Sequence, residues 1–195
     1  MFKVSLHSFL LLTLTSLFFT ATGAPPPLVV ADFNSGKKPS NIGQEWGSWN
    51  YDPKDPEQRC EDTLAAEDYQ KAEAGYSVRI DYDVQSRKPA FNGFWMKLGG
   101  LDASPYQWFS FWVKGNPRGK FTRRFKVELK NEFGKSAIYV VDNLKPQWQE
   151  IRIPFKKNTS FKDWSKLSEF VIVFDDILST YKEGTLYLDQ IEFQP

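Results

Sequence analysis

Apolar and polar side chains alternate along most of the chain, in short runs separated by clusters of Gly, Pro, Asn and Asp. In 125–130 (FKVELK), Phe125, Val127 and Leu129 fall on one side of an extended backbone, and Lys126, Glu128 and Lys130 on the other. In 92–98 (NGFWMKL), Phe94, Met96 and Leu98 take the core side and leave Trp95 and Lys97 outside. In 76–84 (YSVRIDYDV), Val78, Ile80, Tyr82 and Val84 point in while Arg79, Asp81 and Asp83 point out. This period predicts strands at 28–33, 76–84, 92–98, 108–114, 123–130, 136–142, 148–153, 169–174 and 185–193, with weaker strand signal at 45–51 and 58–64. The run 170–174 (FVIVF) is apolar on both faces and predicts a central strand covered on both sides. Helical periodicity is confined to two short stretches, 64–73 and 161–168. Many short strands with few helices predict an all-β domain: an antiparallel β-sandwich of the jelly-roll kind.

The beginning of the chain has a different pattern. Residues 1–23 carry Lys3, then the apolar run FLLLTLTSLFF, then small residues, which is the layout of a secretory signal peptide. Cleavage is expected between Gly23 and Ala24; a cut after Ala24 would leave Pro25 first, a poorer site. The apolar run is too short for a comfortable membrane span, so no membrane association is expected after cleavage. Residues 24–27 (APPP) form a stiff spacer, and a single domain is expected over 28–195. The expected location is secreted or periplasmic. The leader is read as bacterial, so the Asn-Thr-Ser sequon at 158–160 is left unused.

Composition narrows the chemistry. Removal of 1–23 takes away one Lys and leaves 24 Lys+Arg against 24 Asp+Glu, a formal charge of zero. Such a chain has no general attraction for nucleic acid or anionic membranes. The one His, His7, lies in the leader, which excludes Ser-His-Asp and Cys-His catalysis and His-ligated zinc or copper in the mature protein. Cys60 is the single Cys, so no intrachain disulfide forms, and without a His partner it reads as a spectator. Seven Trp and eight Tyr are more than a core of this size needs, and several lie in turn-rich segments, which suggests a binding surface.

Five stretches carry a resemblance: VVADFNSG (29–36), AGYSVRIDYDV (74–84), FSFWVKGNP (109–117), WQEIRIPF (148–155) and GTLYLDQIEF (184–193). In this order they resemble galactose-binding-like β-sandwich domains, in particular family 11 carbohydrate-binding modules and the complex I intermediate-associated protein family. The similarity spans nearly all of 28–195, apart from 37–74, which does not align. The resemblance implies a structural calcium ion between the end of the first strand and the last strand. It carries the ligand role onto Asp189, and onto Asn34 or Asp32 in the DFN segment, where many relatives have an acid after the Phe. Calcium takes oxygen ligands of this kind. The competing reading of Asp189, which interrupts the period of the last strand, is a β-bulge without metal.

Two segments are candidates for holding a sugar. In 43–55 (GQEWGSWNYDPKD), Trp46, Trp49 and Tyr51 lie among hydrogen-bonding side chains, although at least one of these tryptophans is expected to plug the core. The second candidate is an outward stripe of one sheet: Trp95, Lys97, Glu128, Lys130 and Tyr139, in the region where family 11 modules bind glucan. An ordinary solvated sheet face is the plain alternative. Trp108, Trp112 and Trp148 are assigned to packing, and Trp164 to anchoring a turn. The expected function is a non-catalytic domain that binds a β-glucan-like polysaccharide. A protein-interaction or assembly module with a protein partner is the alternative, and a jelly-roll glycoside hydrolase the third reading. For the hydrolase, Glu128 and Asp142 are the carboxylates to test, with Asp142 sharing the parity of Ile138 and Val140 and not that of Tyr139.

Overall fold

A computed structural model describes residues 23–66, 75–158 and 160–195. The apolar leader, most of the helical stretch expected at 64–73, and Thr159 of the sequon lie outside the described residues. Eleven strands are described: β1 (Leu28–Ala31), β2 (Trp46–Asn50), β3 (Arg59–Ala65), β4 (Ser77–Asp83), β5 (Phe91–Leu101), β6 (Trp108–Gly115), β7 (Phe125–Asn131), β8 (Ser136–Val141), β9 (Gln149–Pro154), β10 (Leu167–Asp175) and β11 (Glu183–Gln194). They form two antiparallel sheets. One has the order β3-β4-β11-β6-β9 with β1 also paired to β11; the other has the order β2-β5-β10-β7-β8. The expected all-β sandwich is what the chain adopts.

The two weak strand signals are strands, β2 and β3. The helical reading of 161–168 is corrected. Its aromatic spacing comes from two loop anchors: Phe161 is buried, and Trp164 stacks on Phe155 at 3.9 Å. Asp163 Oδ1 accepts hydrogen bonds from the Ser165 N–H and hydroxyl, which closes a turn just before β10. Among the described residues the one helical segment is a single 3-10 turn at Phe155–Lys157.

The core lies between the sheets. Phe170 of β10, the middle strand of its sheet, meets Phe109 and Phe111 of β6 at ring-centroid distances of 4.9 and 5.6 Å. Phe94 and Phe193 extend the cluster on either side. Such ring pairs add about 0.5–1.5 kcal/mol each beyond the apolar area they bury. Cys60 is buried in the same core. Desolvation first, then the charges of Asp62, Asp81 and Glu61, push its thiol above the ordinary range, so it is no nucleophile.

The last strand has three neighbours. β4 pairs with its first half, from Glu183↔Asp83 to Leu188↔Val78, and β1 pairs with its end, from Ala31↔Ile191 to Leu28↔Phe193. β6 runs along the opposite side, with its register passing from Asp189↔Trp112 to Glu192↔Ser110. Three steps of β11 thus face two of β6, which is a bulge. Gln190 takes the left-handed conformation at φ 41°, and its N–H donates to Asp189 Oδ1 at 2.7 Å. Asp189 is therefore a bulge residue, and a buried one, at the gap where β4 stops and β1 starts.

Phe170→Ala removes the ring at the centre of the interlayer cluster. It is expected to cost about 3–5 kcal/mol, read as a lower urea midpoint with an unchanged slope; a loss below about 1 kcal/mol would place the core elsewhere.

Candidate functional site

The outer face of the five-stranded sheet is set by register. Gly47 pairs with Trp95 and Trp49 with Gly93 across β2 and β5. Val171 and Val173 of β10 lie beside Trp95 and Gly93, and Glu128 and Lys126 of β7 lie beside these valines. Each tryptophan therefore has a glycine as its cross-strand partner. A Cβ on Gly47 would sit 3.0 Å from Trp95 Cζ2, and one on Gly93 would sit 3.2 Å from Trp49 Nε1 and 1.8 Å from the Ile172 carbonyl oxygen. The missing side chains let both indoles lie over their partner strand. Trp95 Nε1 donates to the Ser48 carbonyl at 3.3 Å. The aromatic strip continues through Phe91, edge-on to Trp49 at 5.9 Å, to Tyr51, stacked on Phe91 at 4.0 Å.

Beside the strip runs a ladder of ion pairs: Lys97 to Glu169 at 2.7 Å, Glu169 to Lys130 at 3.5 Å, Lys130 to Glu128 at 3.7 Å and Lys126 to Asp175 at 2.8 Å. Burial raises the Asp175 pKa, but the Lys126 ammonium and the N–H groups of Leu178 and Ile177 outweigh it and hold the carboxyl below its ordinary range. Three ammonium groups balance these three carboxylates. Partly exposed pairs of this kind contribute about 0–1 kcal/mol each to stability; they leave polar atoms standing beside an apolar floor.

Two depressions merge here. One of about 340 Å³ is lined by Trp49, Trp95, Lys97, Lys130, Glu169 and Val171. The other, of about 800 Å³, runs from Trp49, Lys130 and Val171 past Phe91 and Asp175 to Ile177, which is 91% exposed. Trp49, Lys130 and Val171 belong to both, so they form one groove across the sheet. An aromatic, mostly apolar channel with a few placed polar groups suits a neutral, ring-shaped ligand.

Of the site residues expected from sequence, Trp49, Tyr51, Trp95, Lys97, Glu128 and Lys130 lie together on this face. Trp46 and Tyr139 do not. Trp46 pairs with Met96 on the inner face, is 2% exposed and packs edge-on to Phe33 at 5.2 Å. Tyr139 pairs with Val127, also on the inner face, because the β7–β8 register sets Glu128 opposite Ile138. That register turns Ile138 and Val140 outward. Trp108, Trp112 and Trp148 are not core residues either. Phe109, Phe111 and Val113 take the inner positions of β6, which places Trp108 under the Arg152 guanidinium and Trp148 beside Lys114 on the outer face of the other sheet. Phe91, Lys126, Glu169, Val171, Val173 and Asp175 were missed. A strand begun one residue earlier gives Phe91 the parity of Trp95. The valines of FVIVF are groove floor and are not covered by a third layer.

The hydrolase pair does not form. Asp142 shares the outer face with Glu128, but it lies four residues beyond the Glu128↔Ile138 pair, about 13 Å along the strand at 3.3 Å per residue. Facing glycosidase carboxylates stand about 5–9.5 Å apart. Asp142 is instead an exposed partner of Arg124 at 3.3 Å.

The residues expected to hold calcium meet at the gap in β11. One step beyond Leu188↔Val78, Asp189 lies beside Ser77, and β1 delivers the DFN segment to the same place. Asp32 Oδ1 accepts the Asn34 N–H at 3.1 Å, and Asn34 Oδ1 accepts the Tyr76 N–H at 3.2 Å. The Ser77 hydroxyl is buried there without a hydrogen-bond partner. The donor set is all oxygen, as a hard cation requires. Among the described residues no group of three or more His, Cys, Asp or Glu side chains is placed to hold a metal, so most ligands would be neutral oxygens.

No family model matches the chain, and no curated protein matches it. Solved structures do. A family 11 carbohydrate-binding module from Clostridium thermocellum, in complex with a beta-1,3-1,4-mixed-linked tetrasaccharide, is similar with a TM-score of 0.62 and 17% identity, over 88% of this chain and 97% of that one. The family 11 module of the cellulosomal cellulase Lic26A-Cel5E of Clostridium thermocellum gives a TM-score of 0.61 and 16% identity, over 88% and 96%. A family 30 carbohydrate-binding module gives a TM-score of 0.52 and 14% identity, over 68% and 73%. The chain has the β-sandwich fold of these modules.

Proposed function

We propose that the chain is an exported, non-catalytic carbohydrate-binding domain that holds a β-glucan-like polysaccharide in the groove of its five-stranded sheet. The observation that carries this reading is the pair Trp49 and Trp95, each laid over a glycine of the neighbouring strand. Pyranose rings present flat C–H faces that pack on such indoles, and rigid aromatic rings lose little entropy on binding. The carboxylates and ammonium groups of the ladder supply acceptors and donors for ring hydroxyls. A neutral glycan needs no net field, and the ladder has none. The fold shared with the tetrasaccharide-bound family 11 module supports the same ligand class, and the secretory pattern of 1–23 supports export.

Affinity electrophoresis of the mature chain against soluble β-glucan, xylan and mannan tests the reading. Retardation by β-glucan is expected, with Trp49→Ala and Trp95→Ala each weakening it by tenfold or more, about 1.4 kcal/mol. Gly47→Ala should tilt the Trp95 indole and weaken retardation without touching the exposed ring. Trp46→Ala should lower the melting temperature and leave the affinity of the folded fraction intact. If no glycan retards the wild type, or Trp49→Ala and Trp95→Ala run as it does, the groove is not a sugar site.

We propose also that calcium ties β1 to β11 at the gap, held by Asp189, Asn34 and neighbouring oxygens. Chelation is expected to lower the melting temperature of the wild type and added calcium to restore it, by mass action on the folded state. Asp189→Asn should lose that response. A melting temperature indifferent to both chelator and calcium rules the ion out.

A further inference from the structure

At the end of the sandwich where β2 and β3 meet β5, three buried amide oxygens have no hydrogen-bond partner: Asn50 Oδ1, Gln58 Oε1 and Asn92 Oδ1. Asn50 and Asn92 are directly opposite each other across β2 and β5, on the inward parity of Trp46 and Met96. Gln58 precedes β3, whose Arg59 carbonyl accepts a bond from Asn92 Nδ2. Asn92 is fully buried and Gln58 is 4% exposed.

The orientation of two of these amides is dictated by chemistry. Asn92 Nδ2 donates to two carbonyls, Arg59 O at 3.0 Å and Asp83 O at 2.7 Å. Rotating that amide would set its oxygen against both. Gln58 Nε2 donates to the Asp55 carboxylate at 3.1 Å, so its oxygen cannot take that place either. Both oxygens must therefore point elsewhere, and both are acceptors. A buried acceptor left unpaired costs about 1–3 kcal/mol. A water molecule has two protons to give, one fewer than the three oxygens need.

We infer that these oxygens form a binding site for a monovalent alkali cation, of which sodium is the test case. The three ligands are neutral, and a divalent ion usually draws carboxylates into its shell. One negative charge stands just behind them. Asp55 accepts bonds from Ser86 Oγ at 2.7 Å, the Glu57 N–H at 3.0 Å and Gln58 Nε2, and these hold its carboxyl below the ordinary range and ionised. That single charge offsets a single positive one, and burying an uncompensated ion would be costly. The site lies on the underside of the aromatic strip: Asn50 sits between Trp49 and Tyr51, and Asn92 between Phe91 and Gly93.

The test is the melting temperature of the mature chain, in excess chelator, in sodium chloride against choline chloride at one ionic strength. Chelator removes any calcium effect at the β11 gap, and no glycan is needed, so the outcome is independent of the proposals above. Sodium should raise the melting temperature along a saturating curve, and sodium-23 lines should broaden in the presence of the folded protein. Asn50→Asp should shift the midpoint of that curve to a sodium concentration roughly tenfold lower, by adding ligand charge. Asn50→Leu should fold and lose the sodium response. Equal melting temperatures in sodium and choline, with Asn50→Asp destabilised to the same extent in both, would overturn the inference and leave water as the occupant.

Discussion

Phe170 packed against Phe109 and Phe111 across the two layers is the contact on which the rest depends. Once those rings face each other, the parity of β10 and β6 is set, and hydrogen-bonded register transmits it to every neighbouring strand. Successive side chains of a strand point to opposite faces, so a slip of one residue would exchange core for surface throughout. The outward set on one sheet then consists of Trp49, Trp95, Val171, Val173 and the charged residues of β7. The groove is a consequence of how the core is packed, and its floor is as ordered as the core beneath it.

The two faces of that sheet use opposite physics. Inside, aromatic and aliphatic side chains remove apolar area from water. Outside, glycine opposite tryptophan lowers the surface so that a ring lies along the sheet, and ion pairs hold polar atoms at its margin. Because these pairs balance, the face discriminates by shape and hydrogen bonding rather than by long-range attraction. The end of the sandwich behind Trp49 and Phe91 follows a third pattern, with amide oxygens in place of apolar groups. Without disulfides, the domain relies on this core, on the bulged last strand that joins β4 to β1, and on polar clusters that complete its ends.

Much of this was legible in the residues. The alternation in 125–130 and 92–98 assigned Phe94, Val127 and Leu129 to the core and Trp95, Lys97, Glu128 and Lys130 to the surface, and the structure keeps every one of these on its side. Alternation worked there because the inward residues are uniformly apolar and the outward ones mostly charged. It failed at 136–141, where Ile138, Tyr139 and Val140 are all apolar enough to enter a core. It failed also at 108–112, where Trp108 and Trp112 alternate with phenylalanines and either set could face inward. The helical reading of 161–168 failed because a spacing of three between aromatics suits a loop anchored at two points as well as a helix.

The sequence by itself determined the strands, the class of fold and the supply of aromatic and charged residues, because period-two patterning and turn residues are local properties. It also determined that Trp46 and Trp49 point to opposite sides of a strand, since an odd separation allows nothing else. Only the tertiary structure decided which of the two reaches the groove, because that follows from pairing with β5, a strand more than forty residues away. It alone brought Asp189 beside Ser77 and the end of β1, and Asn50 beside Asn92 and Gln58. Sites assembled from several strands depend on register between distant segments, and register is set by how the whole core packs.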